Sequence, residues 1–129
     1  MIKKLDHIAI AVHNVEHAAK FYQDMLGLEL KKVGFLPIGE TNIELVEPSC
    51  DNSPIARFLS TKGPGIHHLC FEVDDIEEEV KALTNKGAQL IDKIPRPGAH
   101  QTLVAFLHPK GTGGVLMELS QKFKAKNSV

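Results

Sequence analysis

The chain has 129 residues, a formal net charge of −1 at pH 7, 43% hydrophobic residues and 24% charged residues. This length suits one domain, and the composition is that of an ordinary globular protein. Charges of both signs are spread along the chain, which argues against nucleic-acid binding. The amino-terminal apolar run is too short for a secretory leader or a membrane span. Cys50 and Cys70 lack metal or disulfide spacing, so we expect reduced thiols and a cytoplasmic protein.

The first predicted elements are a strand and a helix. Residues 6–12 alternate apolar and polar positions, as a half-buried strand does. Asn14 is a candidate N-cap for the helix that follows, and Gly27 is its predicted stop. Short strands come next, ending with residues 41–48.

A short helix from Ser53 to about Leu59 is predicted in the connecting segment, and the same order of elements then returns. Residues 67–73 again alternate, and Asp75 (or Asp74) is the candidate N-cap. Gly87 ends this second helix, and the last strand lies within residues 113–121.

Residues 5–30 and 66–90 are therefore two copies of one pattern. The copies predict an α+β fold of two paired βαβββ modules, at about residues 3–49 and 65–121, within a single domain spanning residues 1–129.

The repeat also pairs four side chains that are typical metal ligands. His7 is equivalent to His68, and Glu44 is equivalent to Glu118 in the last strand of each module. Both glutamates interrupt apolar strands, where an unpaired carboxylate is costly to bury. One such residue alone is usually structural or exposed, but the symmetric set favours a divalent-metal site completed by water. Neighbouring strand residues face opposite sides, so His68 is predicted to point into this site and His67 away from it.

Several longer motifs support a family resemblance: LDHIAIAV, FLPIGETNIELVEP, SPIARFL, GPGIHHLCFEVDDIE, LIDKIPRPGAH and VAFLHPKGTGGVLMELSQ. They resemble the vicinal-oxygen-chelate superfamily, which includes glyoxalase I, extradiol dioxygenases and antibiotic-resistance proteins. Within it, the closer resemblance is to the methylmalonyl-CoA epimerase family, over roughly residues 3–121. The resemblance implies a curved mixed sheet around a metal cleft. It also implies one divalent ion (Co²⁺, Mn²⁺, Ni²⁺ or Zn²⁺) held by His7, Glu44, His68 and Glu118.

The resemblance further implies an activity. Such an enzyme interconverts (R)- and (S)-methylmalonyl-CoA by removing the α-proton, through an enolate that the metal stabilises. Glu118 is then the proton carrier on one face of the substrate. An acyl-CoA thioester as substrate and a homodimer are also implied, with no nucleic acid or membrane as partner.

One segment departs from the family pattern. His68 and Glu118 are 50 positions apart, whereas His7 and Glu44 are only 37 apart. Most of the missing positions lie before Phe35, in the hairpin from which the family draws its second base. Either the protein truly lacks the tip of this hairpin, or the protein has a mobile loop here that the sequence omits. We favour the second interpretation. Glu44 is a weak substitute for the missing base.

Three further residues are candidate substrate contacts. His100 lies in the rigid PRPGAH turn, although an exposed loop histidine is the commoner reading. Lys110 and Gly113 lie in the glycine-rich segment HPKGTGG, which either cradles the substrate carboxylate through backbone N–H groups or is an ordinary turn.

Two alternative functions remain open. Lactoylglutathione lyase (glyoxalase I) would use the same four ligands, so the ligands alone do not separate it from an epimerase. A metal-free ligand-sequestering protein of the antibiotic-resistance type would keep the fold without needing the four ligands, and metal content distinguishes it.

Overall fold

The computed structural model describes residues 1–123. A π-helical segment (Phe21–Met25) follows the first helix, and a 3₁₀ turn (Pro109–Gly111) precedes the last strand. By its contacts the chain divides into two compact units. The first unit is Asp6–His68, and the second unit combines Met1–Leu5 with the chain from Leu69 onward. The described elements are β1 (Ile2–Ala11), α1 (Val15–Lys20), β2 (Phe35–Ile38), β3 (Thr41–Val46), α2 (Pro54–Lys62), β4 (Gly65–Val73), α3 (Ile76–Asn85), β5 (Arg96–Gly98), β6 (Thr102–Leu107) and β7 (Met117–Lys122).

The unit boundaries fall inside β1 and β4, not between the predicted modules. Ion pairs link Met1–Leu5 to the rest of the second unit. The Lys3 ammonium lies 3.5 Å from Glu72 and 3.7 Å from Asp74, and the amino terminus contacts Glu79. The single domain over residues 1–129 stays a prediction.

In the first unit, β3 lies between β2 and β1. β1 runs parallel to β3, with His7 opposite Asn42 and Ala9 opposite Glu44, while β2 is antiparallel to β3. One face of this sheet packs against α1, because alternate strand positions and one helical stripe are apolar. The buried core of the unit consists of Val12, Val15, Ala19, Leu36 and Leu45.

The helix after β1 changes its form before it ends. Asn14 caps it as predicted, accepting a hydrogen bond of 2.8 Å from the backbone N–H of His17. The α-helical part stops at Lys20 and continues as the π-helical segment, whose wider turn lets the N–H of Leu28 reach the Tyr22 carbonyl at 3.0 Å. Gly27 then adopts a φ of 69°, which confirms it as the stop.

The short connection after this helix is a continuous, hydrogen-bonded turn. The N–H of Lys31 donates to the Phe35 carbonyl at 2.9 Å, and the N–H of Phe35 donates to Lys32 at 2.9 Å. The turn leads directly into β2. The first module therefore has two strands after its helix, where three were predicted, because residues 28–34 are too few for another hairpin arm.

In the second unit the strand order is β4-β7-β6-β5. β4 and β7 are parallel, whereas β6 is antiparallel to both β7 and β5. The α3 helix packs on this sheet, and the buried core consists of Val73, Ile76, Val80, Ala105 and Leu119. This module has the predicted order βαβββ, so the α+β class predicted from the sequence is confirmed.

The α3 cap provides a direct test of a choice that the sequence left open. The Asp75 carboxylate accepts a hydrogen bond of 3.2 Å from the N–H of Glu78, whereas Asp74 pairs with Lys3. Replacing an N-cap aspartate by alanine costs about 1 kcal/mol. We therefore expect Asp75→Ala to lower the free energy of unfolding by about that amount in urea titrations. Asp74→Ala is the matched control, and an equal loss in both variants would contradict the assignment of the cap.

Glu72 on β4 gives the protein a pH-dependent contribution to stability. Its carboxylate lies 3.1 Å from the Lys122 ammonium and 3.5 Å from that of Lys3. Burial raises the pKa of Glu72, but the charges and hydrogen bonds of Lys122, Lys4 and Lys3 outweigh it and hold that pKa below its ordinary value of 4.5. A carboxyl with a lowered folded-state pKa stabilises the fold above its unfolded-state pKa and loses this effect as the pH falls through the folded-state value.

We therefore expect Glu72→Gln to lower the free energy of unfolding by about 1 kcal/mol at pH 7. The difference from wild type should shrink below pH 4.5 and disappear as the pH falls through the lowered folded-state pKa of Glu72. Urea titrations between pH 3 and pH 7 measure it, with Glu29→Gln at an exposed position as the control for loss of one negative charge. A difference that stays constant over this range would be inconsistent with the ion pairs as its source.

Candidate metal centre

The site begins at His7, a buried histidine in the middle of β1. His7 is only 8% exposed, and the parallel pairing of β1 with β3 brings its ring beside Glu44. Both Asp6 and His7 are buried although they are neighbours on a strand. A polar pair in such a place needs hydrogen-bond partners, so its contacts define what the site does.

The Nε2 atom of His7 lies 3.3 Å from the Nε2 atom of His68. The two rings meet edge to face, with centroids 5.3 Å apart and an angle of 77° between their planes. His7 and His68 were predicted as ligands of one ion, and the structure brings them together within the first unit.

The other ring nitrogen of each histidine is also in contact with a neighbour. His7 Nδ1 lies 2.8 Å from Asp6 Oδ2 and 3.0 Å from Glu44 Oε2. His68 Nδ1 lies 2.9 Å from Nδ1 of His67. When Nδ1 carries the proton and donates it to such an acceptor, Nε2 keeps its lone pair and is the atom that binds a metal.

The spacing of the two Nε2 atoms fits a shared divalent ion. Imidazole nitrogens bind zinc at about 2.0–2.1 Å. Two such nitrogens at an angle of 90–110° around the ion are about 2.9–3.4 Å apart, and the observed 3.3 Å lies in this range. Imidazole and carboxylate donors together suit several first-row divalent metals. The residues present therefore fit the ion that the sequence predicted.

Glu44 occupies a different place around His7 from the one expected of a ligand. Its carboxylate contacts Nδ1, on the side of the ring away from the facing Nε2 atoms. The side chain is 19% exposed, so it is largely shielded from water. In this geometry Glu44 orients the His7 ring, and its assignment as a metal ligand stays a prediction.

Glu118 lies in the second unit, as the second residue of β7. It is half-buried, between Cys70 of β4 and Phe106 of β6 in the register of the sheet. This position matches that of Glu44 in the first module. Glu44 is paired with Ala9, two residues after His7, and Glu118 is paired with Cys70, two residues after His68. The repeat thus preserves the register of the histidine and glutamate pair.

His67 differs from its neighbour in its surroundings. Its ring meets the edge of Phe58 of α2, with centroids 5.1 Å apart. Burial lowers the pKa of His67, and the nearby charges of His68 and Lys62 lower it further. His67 was predicted to point away from the site, and that prediction did not include its contact with His68. Asp6 was not among the predicted site residues, although a carboxylate directly before a strand histidine was a signal for it.

The three candidate substrate residues lie in exposed or partly exposed loops of the second unit. His100 is exposed in the turn between β5 and β6, with a φ of 56°. Lys110 lies in the 3₁₀ turn, where its N–H donates to His108 Nδ1 at 3.1 Å. Gly113 has a φ of 78°, which favours glycine. The N–H groups of three residues in this segment donate to carbonyls within it: Gly111, Thr112 and Gly114.

Residues 6–106 match the model of the glyoxalase/bleomycin resistance protein/dioxygenase superfamily. The match covers most of the chain and includes both facing histidines. The chain belongs to this superfamily. Within residues 1–123, none of the helices is long and apolar enough to cross a membrane.

Several relatives within the superfamily are epimerases. The chain is 42% identical to the ethylmalonyl-CoA/methylmalonyl-CoA epimerase of Cereibacter sphaeroides, covering 94% of this chain and 99% of that protein. It is 41% identical to the mitochondrial methylmalonyl-CoA epimerase of Dictyostelium discoideum, covering 94% and 80%. A solved methylmalonyl-CoA epimerase in complex with methylmalonyl-CoA and NH4+ has a TM-score of 0.86 at 29% identity, covering 95% of this chain and 96% of that one. The resemblance to methylmalonyl-CoA epimerases is confirmed.

The alignments also bear on the short first module. The alignment with the Cereibacter sphaeroides protein spans 134 positions, more than the 129 residues of this chain. That relative therefore contains residues that have no counterpart here. This agrees with the shortage that the internal repeat predicted.

Proposed function

We propose that this chain is a metal-dependent epimerase that interconverts (R)- and (S)-methylmalonyl-CoA. The observation that carries the proposal is the pair of facing Nε2 atoms, 3.3 Å apart, in a chain whose relatives are methylmalonyl-CoA epimerases. The substrate class follows from the names of those relatives and from the solved complex with methylmalonyl-CoA.

The ion would be held by His7 and His68 through Nε2, with Glu118 and Glu44 as the carboxylate ligands predicted from the repeat. Co²⁺, Mn²⁺, Ni²⁺ and Zn²⁺ all suit this mixture of nitrogen and oxygen donors. When bound, the ion supplies positive charge beside the negative charge that develops on the substrate as its proton leaves. The histidines and the residues that contact their Nδ1 atoms keep the ligand atoms in place before substrate arrives.

Glu118 is the proton carrier on one face of the substrate. Its carboxylate takes the proton from the α-carbon, which lies between a thioester and a carboxylate and is acidic for that reason. A second proton carrier is required on the opposite face of the substrate. Glu44 takes the place of the family's second base. Its carboxylate is held by His7, whose Nδ1 atom lies 3.0 Å from Glu44 Oε2.

The remaining assignments complete the proposal. Lys110 and Gly113 contact the substrate carboxylate, and His100 faces the substrate from the turn between β5 and β6. A cytoplasmic homodimer is the expected state of the enzyme. Each of these assignments rests on the resemblance and on the positions of the loops.

Lactoylglutathione lyase is the less favoured alternative. The chain is 26% identical to a probable lactoylglutathione lyase of Synechocystis, covering 90% of this chain and 95% of that protein. Identity to the epimerases is above 40% over a similar share of the chain. Because the two reactions use the same ligand types, substrate discrimination and not metal content separates them.

The proposal is tested by proton exchange at the α-carbon. Purified protein, metal-loaded or stripped with EDTA, is incubated with methylmalonyl-CoA in D2O, and loss of the α-proton signal is followed by NMR. We expect exchange in the loaded protein and its loss after stripping. Folded, metallated protein that leaves the α-proton in place would refute the proposal, and the glutathione hemithioacetal would then be tested. A folded protein that takes up no metal would indicate the sequestering alternative.

A further inference from the structure

The two facing histidines share a feature that the metal ligands alone do not explain. Each is preceded in the chain by a residue that contacts its Nδ1 atom. Asp6 Oδ2 lies 2.8 Å from His7 Nδ1, and His67 Nδ1 lies 2.9 Å from His68 Nδ1. Asp6 and His67 therefore occupy equivalent places in the repeat, next to the ligand and on the side opposite its metal-binding atom.

We propose that His67 is a positioning residue for the metal centre: its Nδ1 atom accepts the hydrogen bond donated by Nδ1–H of His68. This inference rests on the proposed metal site. It gives the first histidine of GIHHLCF a specific role, as the hydrogen-bond acceptor of the histidine that follows it.

The proton count between the two rings leads to this assignment. Two neutral imidazoles whose Nδ1 atoms lie 2.9 Å apart share one hydrogen bond, so one Nδ1 carries a proton and the other accepts it. When His68 is the donor, its Nε2 keeps a lone pair, and that lone pair faces His7 Nε2 at 3.3 Å. When His67 is the donor, the proton of His68 moves to Nε2 and blocks the ligand atom.

The surroundings of His67 fix its ring for this task. The ring meets Phe58 of α2 edge to face, at 5.1 Å between centroids and 74° between planes. Ser53 caps α2 by accepting a hydrogen bond of 3.2 Å from the N–H of Ala56. The helix between the modules thus packs against the acceptor of His68.

The two positioning residues are chemically different. Asp6 is an anionic acceptor, which makes the imidazole it bonds a stronger metal donor. His67 is a neutral acceptor and has a weaker effect. The two histidine ligands should therefore bind the ion with unequal strength, although they occupy equivalent places.

The test uses the full chain without metal first. Long-range ¹H–¹⁵N NMR reports which ring nitrogen of each histidine carries the proton. We expect His68 to be protonated at Nδ1 in the wild-type protein and in His67→Asn, whose amide places an acceptor where Nδ1 was. His67→Phe keeps the packing on Phe58 but removes the acceptor, so His68 should become a mixture of tautomers.

Metal affinity is the second measurement, by competition between Co²⁺ and a chromophoric chelator. We expect His67→Phe to bind Co²⁺ about 10–100-fold more weakly than wild type, the usual effect of removing a ligand's hydrogen-bond partner. His67→Asn should recover most of this loss. The wild-type protein and both variants should unfold at the same urea concentration, which excludes a general loss of stability as the cause.

Two results would overturn the inference: a wild-type His68 protonated at Nε2, or Co²⁺ affinity unchanged in His67→Phe. If His67→Phe does not fold, the tautomer of His68 in the wild-type protein and in His67→Asn still tests the inference. A wild-type protein that binds no Co²⁺ would refute the proposed function instead. The tautomer of His68 in the metal-free protein would then still test the hydrogen bond.

Discussion

Glu118→Gln is expected to abolish most of the α-proton exchange while leaving the fold intact. The substitution keeps the size and shape of the side chain but removes the carboxylate that accepts the proton. A positioned general base typically contributes about 10²–10⁴-fold to such a step. We therefore expect the exchange rate in D2O to fall by at least about 100-fold.

A matched control separates the role of Glu118 from a general loss of charge. Glu72→Gln makes the same chemical change on β4, the strand that neighbours β7, at a residue paired with lysines. This control should exchange the α-proton at close to the wild-type rate. Exchange in Glu118→Gln at the rate of the control would remove Glu118 from the reaction.

His68→Ala is expected to weaken Co²⁺ binding more than any change beyond the ligands does. One of the two facing Nε2 atoms is lost, and the remaining imidazole of His7 cannot replace it. Loss of a ligand's hydrogen-bond partner already weakens metal binding by about 10–100-fold, so loss of the ligand itself should exceed about 100-fold. Competition with a chromophoric chelator measures the effect without any substrate.

His13→Ala provides the comparison, because His13 is an exposed histidine just after β1. It removes an imidazole of the same type that lies outside the proposed site. Co²⁺ affinity should be unchanged in this variant. If His68→Ala bound Co²⁺ as tightly as His13→Ala does, the facing histidines would not be the metal centre.

Much of the fold could be predicted from local sequence signals. Asn14 and Asp75 cap their helices as predicted, because a short polar side chain satisfies backbone N–H groups within its own turn. Ser53, predicted as the start of the connecting helix, caps it in the same way. Gly27 and Gly87 have positive φ values for a similarly local reason. Such features depend on residues only a few positions apart, and one sequence is enough to recognise them.

The length of the α-helical part of the first helix was not visible in the same way. Apolar spacing continued through Leu26, but the chain changes to a π-helical segment after Lys20. One extra residue in a turn barely alters a short apolar pattern. The number of strands in the first module was likewise overestimated, because the second module was taken as the guide for a segment that is shorter in the first.

The sequence by itself determined the pairing of His7 with His68 and of Glu44 with Glu118, since a repeated pattern reveals equivalent positions without coordinates. Only the tertiary structure decided which atoms meet. Nε2 of His7 lies against Nε2 of His68. Asp6 and Glu44 contact Nδ1 of His7, and His67 contacts Nδ1 of His68. The physical reason is that hydrogen bonds depend on ring orientation and on tertiary contacts such as that of Phe58 with His67. These are set by packing between distant segments and leave no periodic signal in the chain.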